Sequence, residues 1–229
     1  MISHALFSTL VCEFHYPNHQ EFRESFLSDG LKFFDADGYS GENTGHVAMH
    51  HEPNFEDLYK FGTECIVNYL NEMNIDSDNF DIHIIKSWLN VLKSRNTPKH
   101  NHRDAHVSLV YYVNAPDEYN QRIVFLRDDP HFDVFPGCIK NNNSKNIWNS
   151  VNSYTWSFVP KQGTLYVFPA SLNHETEGNG STMREEGVFT HTDLLQRRIS
   201  IASDALLTYK EKSSKSLGIQ PISNWKKFA

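Results

Sequence analysis

One stretch of the chain, residues 55–73, repeats its hydrophobic side chains at intervals of three and four residues. The repeating positions are Phe55, Leu58, Gly62, Cys65, Ile66, Tyr69, Leu70 and Met73. Residues spaced in this way share one face of an α-helix, so the pattern predicts an amphipathic helix packed against a core. A shorter helix is predicted between Pro17 and Gly30, with Phe22 and Phe26 on one side.

From Phe80 onward the apolar residues follow the two-residue period of β-strands. Six strands are predicted, over residues 80–92, 106–113, 122–126, 154–159, 165–168 and 198–207. Because no helical pattern lies between them, a mainly β fold is favoured, an antiparallel sandwich or barrel backed by the N-terminal helices. We predict a single domain with a helical layer (1–79), a strand core (80–209) and a C-terminal tail (210–229), and loops over 128–153 and 175–196.

Composition and charge exclude several function classes. The 229 residues carry a net charge of −7 without a basic stripe, so no nucleic-acid partner is expected. No apolar run is long enough to span a membrane, and the N-terminus does not resemble a secretion signal. Cys12, Cys65 and Cys138 form no paired motif, which favours a reducing cytoplasm. The number of histidines, 13, is unusually high and suggests that the protein binds a metal ion.

The densest polar cluster, residues 100–106, leads into the second predicted strand. Alternate residues of a strand point the same way, so His100, His102, Asp104 and His106 would share a face if the strand begins early. A His and a carboxylate two residues apart can bind one metal ion. A third ligand from another strand would complete the two-His-one-carboxylate site typical of non-haem Fe(II). His174 is a candidate for that ligand, because it follows the strand that ends at Pro169.

The last predicted strand carries an arginine among apolar residues. Arg198 and Ser200 share one of its faces. A buried guanidinium requires an anion, and its planar fork matches a carboxylate that a nearby hydroxyl can also bind. A surface salt bridge is the alternative for this arginine.

These motifs, in this order, resemble the Fe(II)- and 2-oxoglutarate-dependent dioxygenase superfamily, and more narrowly its small prolyl-4-hydroxylase-like branch. The resemblance covers about residues 40–204. It is carried by Trp88-Leu89-Asn90, His100-Asn101-His102, Ser108-Leu109-Val110-Tyr111-Tyr112, Gly163-Thr164-Leu165-Tyr166-Val167-Phe168-Pro169, His174 and Arg198-Ile199-Ser200.

The resemblance implies a double-stranded β-helix (jelly-roll) core that holds Fe(II) through His102, Asp104 and His174. It further implies that Arg198, helped by Ser200, binds the C5 carboxylate of 2-oxoglutarate, the cosubstrate used together with O2. The interval from His174 to Arg198 is longer than is usual in the family, so Arg184 and Arg197 are alternatives to Arg198. His100 could replace His102 or Asp104 as a ligand, and otherwise it supports the site or the fold, as His106 does.

The leading hypothesis is therefore a cytoplasmic dioxygenase that hydroxylates an unactivated C–H bond of a peptidyl or small-molecule substrate. The alternative is a cupin-like jelly roll that binds a metal or ligand without oxygenase activity. A third hypothesis is an interaction protein that uses residues 128–153 as its contact surface. The sequence gives no indication of the oligomeric state.

Overall fold

Both predicted N-terminal helices are present in the computed structural model, as α1 (His19–Asp29) and α2 (Glu56–Glu72). The structure describes residues 8–29, 48–92, 97–116, 121–127, 141–142, 145–146, 149, 153–177, 195–213 and 220–228. The apolar stripe of α2 is buried, as its spacing predicts; its buried residues are Leu58, Gly62, Cys65, Ile66, Tyr69 and Leu70. No helix in these ranges is both long and apolar enough to cross a membrane.

The strands of the described residues form two main antiparallel sheets and a two-stranded ribbon. The strands are β1 (Cys12–His15), β2 (Phe80–Leu92), β3 (Val107–Asn114), β4 (Arg122–Leu126), β5 (Asn141–Asn142), β6 (Lys145–Asn146), β7 (Thr155–Phe158), β8 (Thr164–Pro169), β9 (Asn173–Glu177) and β10 (Arg198–Tyr209). The larger sheet has the order β1-β8-β3-β10-β2, the smaller sheet has the order β7-β4-β9, and β5 pairs with β6. The mainly β, jelly-roll fold class is therefore confirmed.

The larger sheet has two buried faces because helices cover one and the smaller sheet covers the other. Leu109, Ile199 and Ile201 point to the helical side and join the main hydrophobic core with α2. Tyr112 and Phe168 point to the opposite side, where they pack with residues of the smaller sheet. Burial on both faces explains why β3 and β8 are nearly continuous runs of apolar residues.

Four of the described strands were not predicted, and two of them, β5 and β6, lie in the segment predicted as a loop over residues 128–153. β1 pairs with β8 at the edge of the larger sheet. His174 lies in β9, paired with Phe125 of β4. β9 reads Asn-His-Glu-Thr-Glu, with no alternation of apolar and polar residues, so its strand conformation depends on pairing with β4.

A β-bulge in β2 changes which side chains face the smaller sheet. Ile84 and Val91 both pack on the helical side, although an unbroken two-residue period would put them on opposite faces. The register shows the reason: Ala205 pairs with Ile84, whereas the preceding Asp204 pairs with Lys86, so Ile85 is the extra residue. Bulges of this kind re-aim side chains near functional sites. From Lys86 onward, the even-numbered residues of β2 face inward.

The turn before β8 requires glycine at position 163. Gly163 has φ +84°, and a Cβ atom there would lie 2.7 Å from His15 Cε1 and 2.9 Å from His19 Cγ. His15 is exposed, but His19 is buried and cannot swing away. We therefore expect Gly163→Ala to lower the free energy of unfolding by about 2 kcal/mol or more, measured by urea denaturation.

A matched control for this substitution is Gly62→Ala in α2. A Cβ atom at position 62 would make a contact of 3.4 Å with Leu109. Alanine also favours a helix over glycine by up to about 1 kcal/mol. Equal losses of stability in both variants would contradict the special role of the Gly163 turn.

Candidate metal centre

Three histidines converge between the two sheets, at the end of the sandwich where β8 turns into β9. One ring nitrogen from each of His100, His102 and His174 lies within 4.8 Å of the others. The main chain holds them there. His100 N–H donates to His174 O at 3.0 Å and His174 N–H donates to His100 O at 2.9 Å, while His102 N–H donates to Ala170 O at 2.8 Å. The residues before β3 therefore add a short pairing to the edge of β9.

The hydrogen bonds of the three rings select one tautomer for each of them. His100 Nδ1 bonds Pro98 O at 2.8 Å, and His174 Nδ1 bonds Leu172 O at 3.0 Å. His102 Nδ1 bonds Asp204 Oδ1 at 2.5 Å. Carbonyl and carboxylate oxygens only accept, so each Nδ1 is the donor and each Nε2 keeps a free lone pair. Three lone pairs on converging rings can bind one metal ion.

Burial favours the neutral form, which binds metals, for the imidazoles of His100 and His174. It lowers the pKa of His174 to about 4, and the neighbouring His100 and His102 add to that effect. Burial also lowers the pKa of His100, and His102 acts in the same direction. Metal binding therefore does not need to displace a proton from either ring near neutral pH.

Asp204 lies beneath His102 on β10 and is nearly inaccessible, with 1% of its surface exposed. Ser108 Oγ–H donates to its Oδ1 at 2.7 Å, and Lys86 Nζ lies 3.0 Å from its Oδ2. Burial alone would raise the pKa of Asp204, but the hydrogen bonds from His102, Ser108 and Lys86 outweigh it and lower the pKa. Asp204 is therefore an ionised, fully partnered carboxylate next to the histidine cluster.

The expectation that His100, His102, Asp104 and His106 share one strand face is wrong. The chain turns at residues 103–104, and β3 begins only at Val107. Asp104 is exposed and lies outside the histidine cluster. His106 is also exposed, and its Nδ1 accepts a hydrogen bond from Leu207 N–H at 3.0 Å. The role of Asp104 as a ligand stays a prediction.

Sequence reasoning overlooked Asp204, although a signal for it was present. Arg198, Ser200 and Ala202 were assigned to one face of the last strand, and the same alternation continues to Asp204. A carboxylate on the inward face of a buried strand requires partners, in the same way as the arginine does. Its pairing with His102 could not be derived, because the two residues are 102 positions apart.

Arg198 begins β10 and is buried on the same inward face. Only 3% of its surface is exposed, and its Nε and Nη1 atoms have no hydrogen-bond partner among the residues that the structure describes. Burial lowers the pKa of Arg198, while Tyr112 opposes that shift. A small pocket lies against the arginine; its lining residues are Ala115, Pro116, Gln121, Val159, Pro160 and Arg198. A buried cation with unused donors beside a pocket fits an anionic group.

Arg184 and Arg197 are the alternatives to Arg198. Arg184 lies outside the described residues. Arg197 is buried but precedes β10, whereas Arg198 begins the strand that also carries Asp204. Ser200 is buried on the same face as Arg198 and pairs with Tyr112 of β3. The donors at this end of β10 are of the kind that bind a carboxylate.

The donor set fits the metal and cosubstrate that the sequence motifs imply. Neutral imidazole nitrogens are good ligands for iron, as they are for zinc, copper and nickel. Three histidines on one side would leave the remaining coordination positions open. The guanidinium of Arg198 is a group of the kind that would bind one end of a dicarboxylate.

A model of the family described as "Putative 2OG-Fe(II) oxygenase" matches residues 86–186, which include the three histidines. No curated protein matches the chain significantly.

Solved structures share the fold at low sequence identity. The nogalamycin-biosynthesis carbocyclase SnoK, a non-heme alpha ketoglutarate dependent enzyme, is 9% identical with a TM-score of 0.54, over 96% of this chain and 90% of its own. AviO1 from Streptomyces viridochromogenes Tue57 is 9% identical with a TM-score of 0.51, over 87% and 90%. The epimerase SnoN of nogalamycin biosynthesis is 10% identical with a TM-score of 0.50, over 95% and 88%.

These structures show the shared fold, and the family model adds a match over residues 86–186. The superfamily and the enzyme class predicted from the sequence are confirmed, and so are the cofactors. Over residues 86–186 the chain therefore matches the Fe(II)- and 2-oxoglutarate-dependent oxygenases.

Proposed function

We propose that this oxygenase hydroxylates an unactivated C–H bond of a peptidyl or small-molecule substrate. The balanced reaction consumes the C–H compound, 2-oxoglutarate and O2, and it yields the alcohol, succinate and CO2. The observation that carries the proposal is the histidine cluster: three Nδ1 atoms are used as donors, so three Nε2 lone pairs are available to one ion.

We propose His100, His102 and His174 as the protein ligands of the iron. His102 and His174 follow directly from the sequence motifs, and His100 takes the third position because its ring lies in the cluster, 4.3 Å from the ring of His174. Asp104, the third ligand suggested by the sequence motifs, is the alternative. The iron, when bound with the cosubstrate, supplies the coupling of 2-oxoglutarate decarboxylation to oxygen insertion.

The protein's own residues orient the cosubstrate and exclude water. We assign Arg198 to the C5 carboxylate of 2-oxoglutarate, with Ser200 as an additional hydroxyl donor. The apolar cluster of Tyr112, Phe125 and Phe168 lies between the sheets and keeps the region dry. A dry surrounding strengthens the arginine–carboxylate attraction, because low polarity screens charges less than water does.

The test is an anaerobic titration of the Fe(II)-loaded protein with 2-oxoglutarate. A weak visible charge-transfer band, followed by succinate release when O2 and substrate candidates are admitted, is the expected result. His102→Ala should remove the band. His83→Ala is the matched control, because His83 is an exposed histidine bonded to Thr208, on the outer part of β2.

Two other results of this titration would contradict the proposed function. A protein that binds iron but gives no band with 2-oxoglutarate would favour the cupin-like alternative. A protein that binds no iron would contradict the metal centre itself.

A further inference from the structure

We propose that Asp204 is a positioning residue that fixes the ring of His102. Its carboxylate also places one negative charge next to the cluster of three histidines. The metal part of this inference rests on the proposed function, whereas the effect on the His102 ring does not. The carboxylate lies on β10, far in sequence from the three histidines, and no motif discussed above includes it.

The two carboxylate oxygens of Asp204 have different partners. Oδ1 accepts from His102 Nδ1 at 2.5 Å and from Ser108 Oγ at 2.7 Å. Oδ2 faces Lys86 Nζ at 3.0 Å. The short contact to His102 is of the charge-assisted kind, which is shorter and stronger than a neutral hydrogen bond. The carboxylate therefore fixes both the tautomer and the direction of the ring.

The β-bulge at Ile85 is what completes this arrangement. Without the extra residue, Lys86 would follow Ile84 to the helical side of the sheet and could not reach Asp204. With it, Lys86 faces inward opposite Asp204, and Trp88 follows on the same face. The Trp88 ring lies 5.3 Å from the His102 ring, and Lys86 Nζ lies 5.0 Å from the centre of the Trp88 ring. His102 is thus held by Asp204 and flanked by Trp88.

The charge of the site gives Asp204 its second role. Three neutral imidazoles leave a divalent ion with its full charge, whereas a carboxylate ligand would remove one unit of it. A carboxylate bonded to the far nitrogen of a ligating histidine makes the ring a stronger donor to the metal. Lys86 is 37% exposed, so its opposing charge is partly screened by water, whereas Asp204 is not.

The proposal is tested first by metal affinity, with Co(II) as a probe in a competition titration against a chromophoric chelator. Asp204→Asn keeps the shape and removes the charge, and we expect about 10- to 100-fold weaker Co(II) binding. Lys86→Met should leave the affinity within about fivefold of wild type, or tighten it, because the half-exposed ion pair contributes little. Asp81→Asn, which removes an exposed carboxylate from β2, is the matched control.

Lys86→Met separates an electrostatic role from a scaffolding role. If the contacts of Asp204 served only to brace the fold, losing Lys86 would loosen His102 and weaken Co(II) binding as Asp204→Asn does. Equal losses in the two variants would therefore overturn the proposal, and so would an unchanged affinity in Asp204→Asn.

A second measurement needs no metal. Long-range ¹H–¹⁵N spectra of the histidine-labelled apoprotein, with His102 assigned by comparison with His102→Gln, report the tautomer of the ring. We expect the Nδ1–H tautomer in wild type and a mixture of tautomers in Asp204→Asn. A wild-type ring in the Nε2–H form would overturn the proposal, even for a protein that binds Co(II). If wild type binds no Co(II) but shows the expected tautomers, the proposed function and the charge role of Asp204 fail, whereas its positioning of His102 stands.

Discussion

We expect His100→Ala to abolish tight binding of Fe(II) or Co(II) and Asp104→Ala to leave that binding near the wild-type level. The physical reason is that the His100 ring lies in the cluster with His102 and His174, while Asp104 lies outside the cluster on an exposed turn. Removing one of three protein ligands costs more than the roughly 10- to 100-fold loss typical of an outer partner. Equilibrium titration of the apoprotein with either ion measures the effect.

The same pair of variants decides between the two ligand sets. A loss of binding in Asp104→Ala, with binding retained in His100→Ala, would restore the two-His-one-carboxylate site suggested by the sequence motifs. His100→Ala also removes a backbone-supported ring, so circular dichroism and thermal melting must show that the variant remains folded. The His100–His174 pairing uses main-chain atoms and does not depend on the side chain.

We expect Arg198→Met to abolish 2-oxoglutarate binding and to retain the binding of Fe(II) or Co(II). Arg198 lies six residues from Asp204 on β10, so its loss does not touch the histidine cluster. Removing the cation that faces a buried carboxylate costs at least about 100-fold in affinity. The measurement is the charge-transfer band of the anaerobic Fe(II) protein as 2-oxoglutarate is added. Normal cosubstrate binding by this variant would transfer the role to Arg184 or Arg197.

Arg198→Met is expected to weaken ligand binding, but it is not expected to lower the stability of the ligand-free protein. In the absence of an anion, Arg198 is a buried cation whose Nε and Nη1 have no partner within the described part of the chain, and that state is unfavourable. We therefore expect the ligand-free Arg198→Met protein to melt at the same temperature as wild type or higher. Added 2-oxoglutarate should raise the melting temperature of the wild type and leave that of the variant unchanged. A lower melting temperature for the variant would indicate that Arg198 has a structural partner.

The local patterns of the sequence predicted most of the secondary structure. α2 and β4 lie within one residue of their predicted bounds, because a helical stripe and a run of β-branched residues each reflect contacts between near neighbours. β9 was missed because its residues have no apolar alternation, and only pairing with β4 makes it a strand. The shared face expected for residues 100–106 failed for the same reason, since nothing local predicts the turn at 103–104.

For the candidate site, the ordered motifs of the sequence by themselves indicated the family resemblance and singled out His102, His174 and Arg198 as candidate residues. The order of the motifs is a property of the amino-acid sequence, so it can be identified without knowledge of the fold. Tertiary structure alone decided that His100 joins His102 and His174, that Asp104 does not, and that Asp204 lies beneath His102. These are contacts between β2, β3, β9 and β10, fixed by strand register and by one bulged residue at Ile85. A shift of one residue in register turns every side chain to the other face, so no local pattern could have specified them.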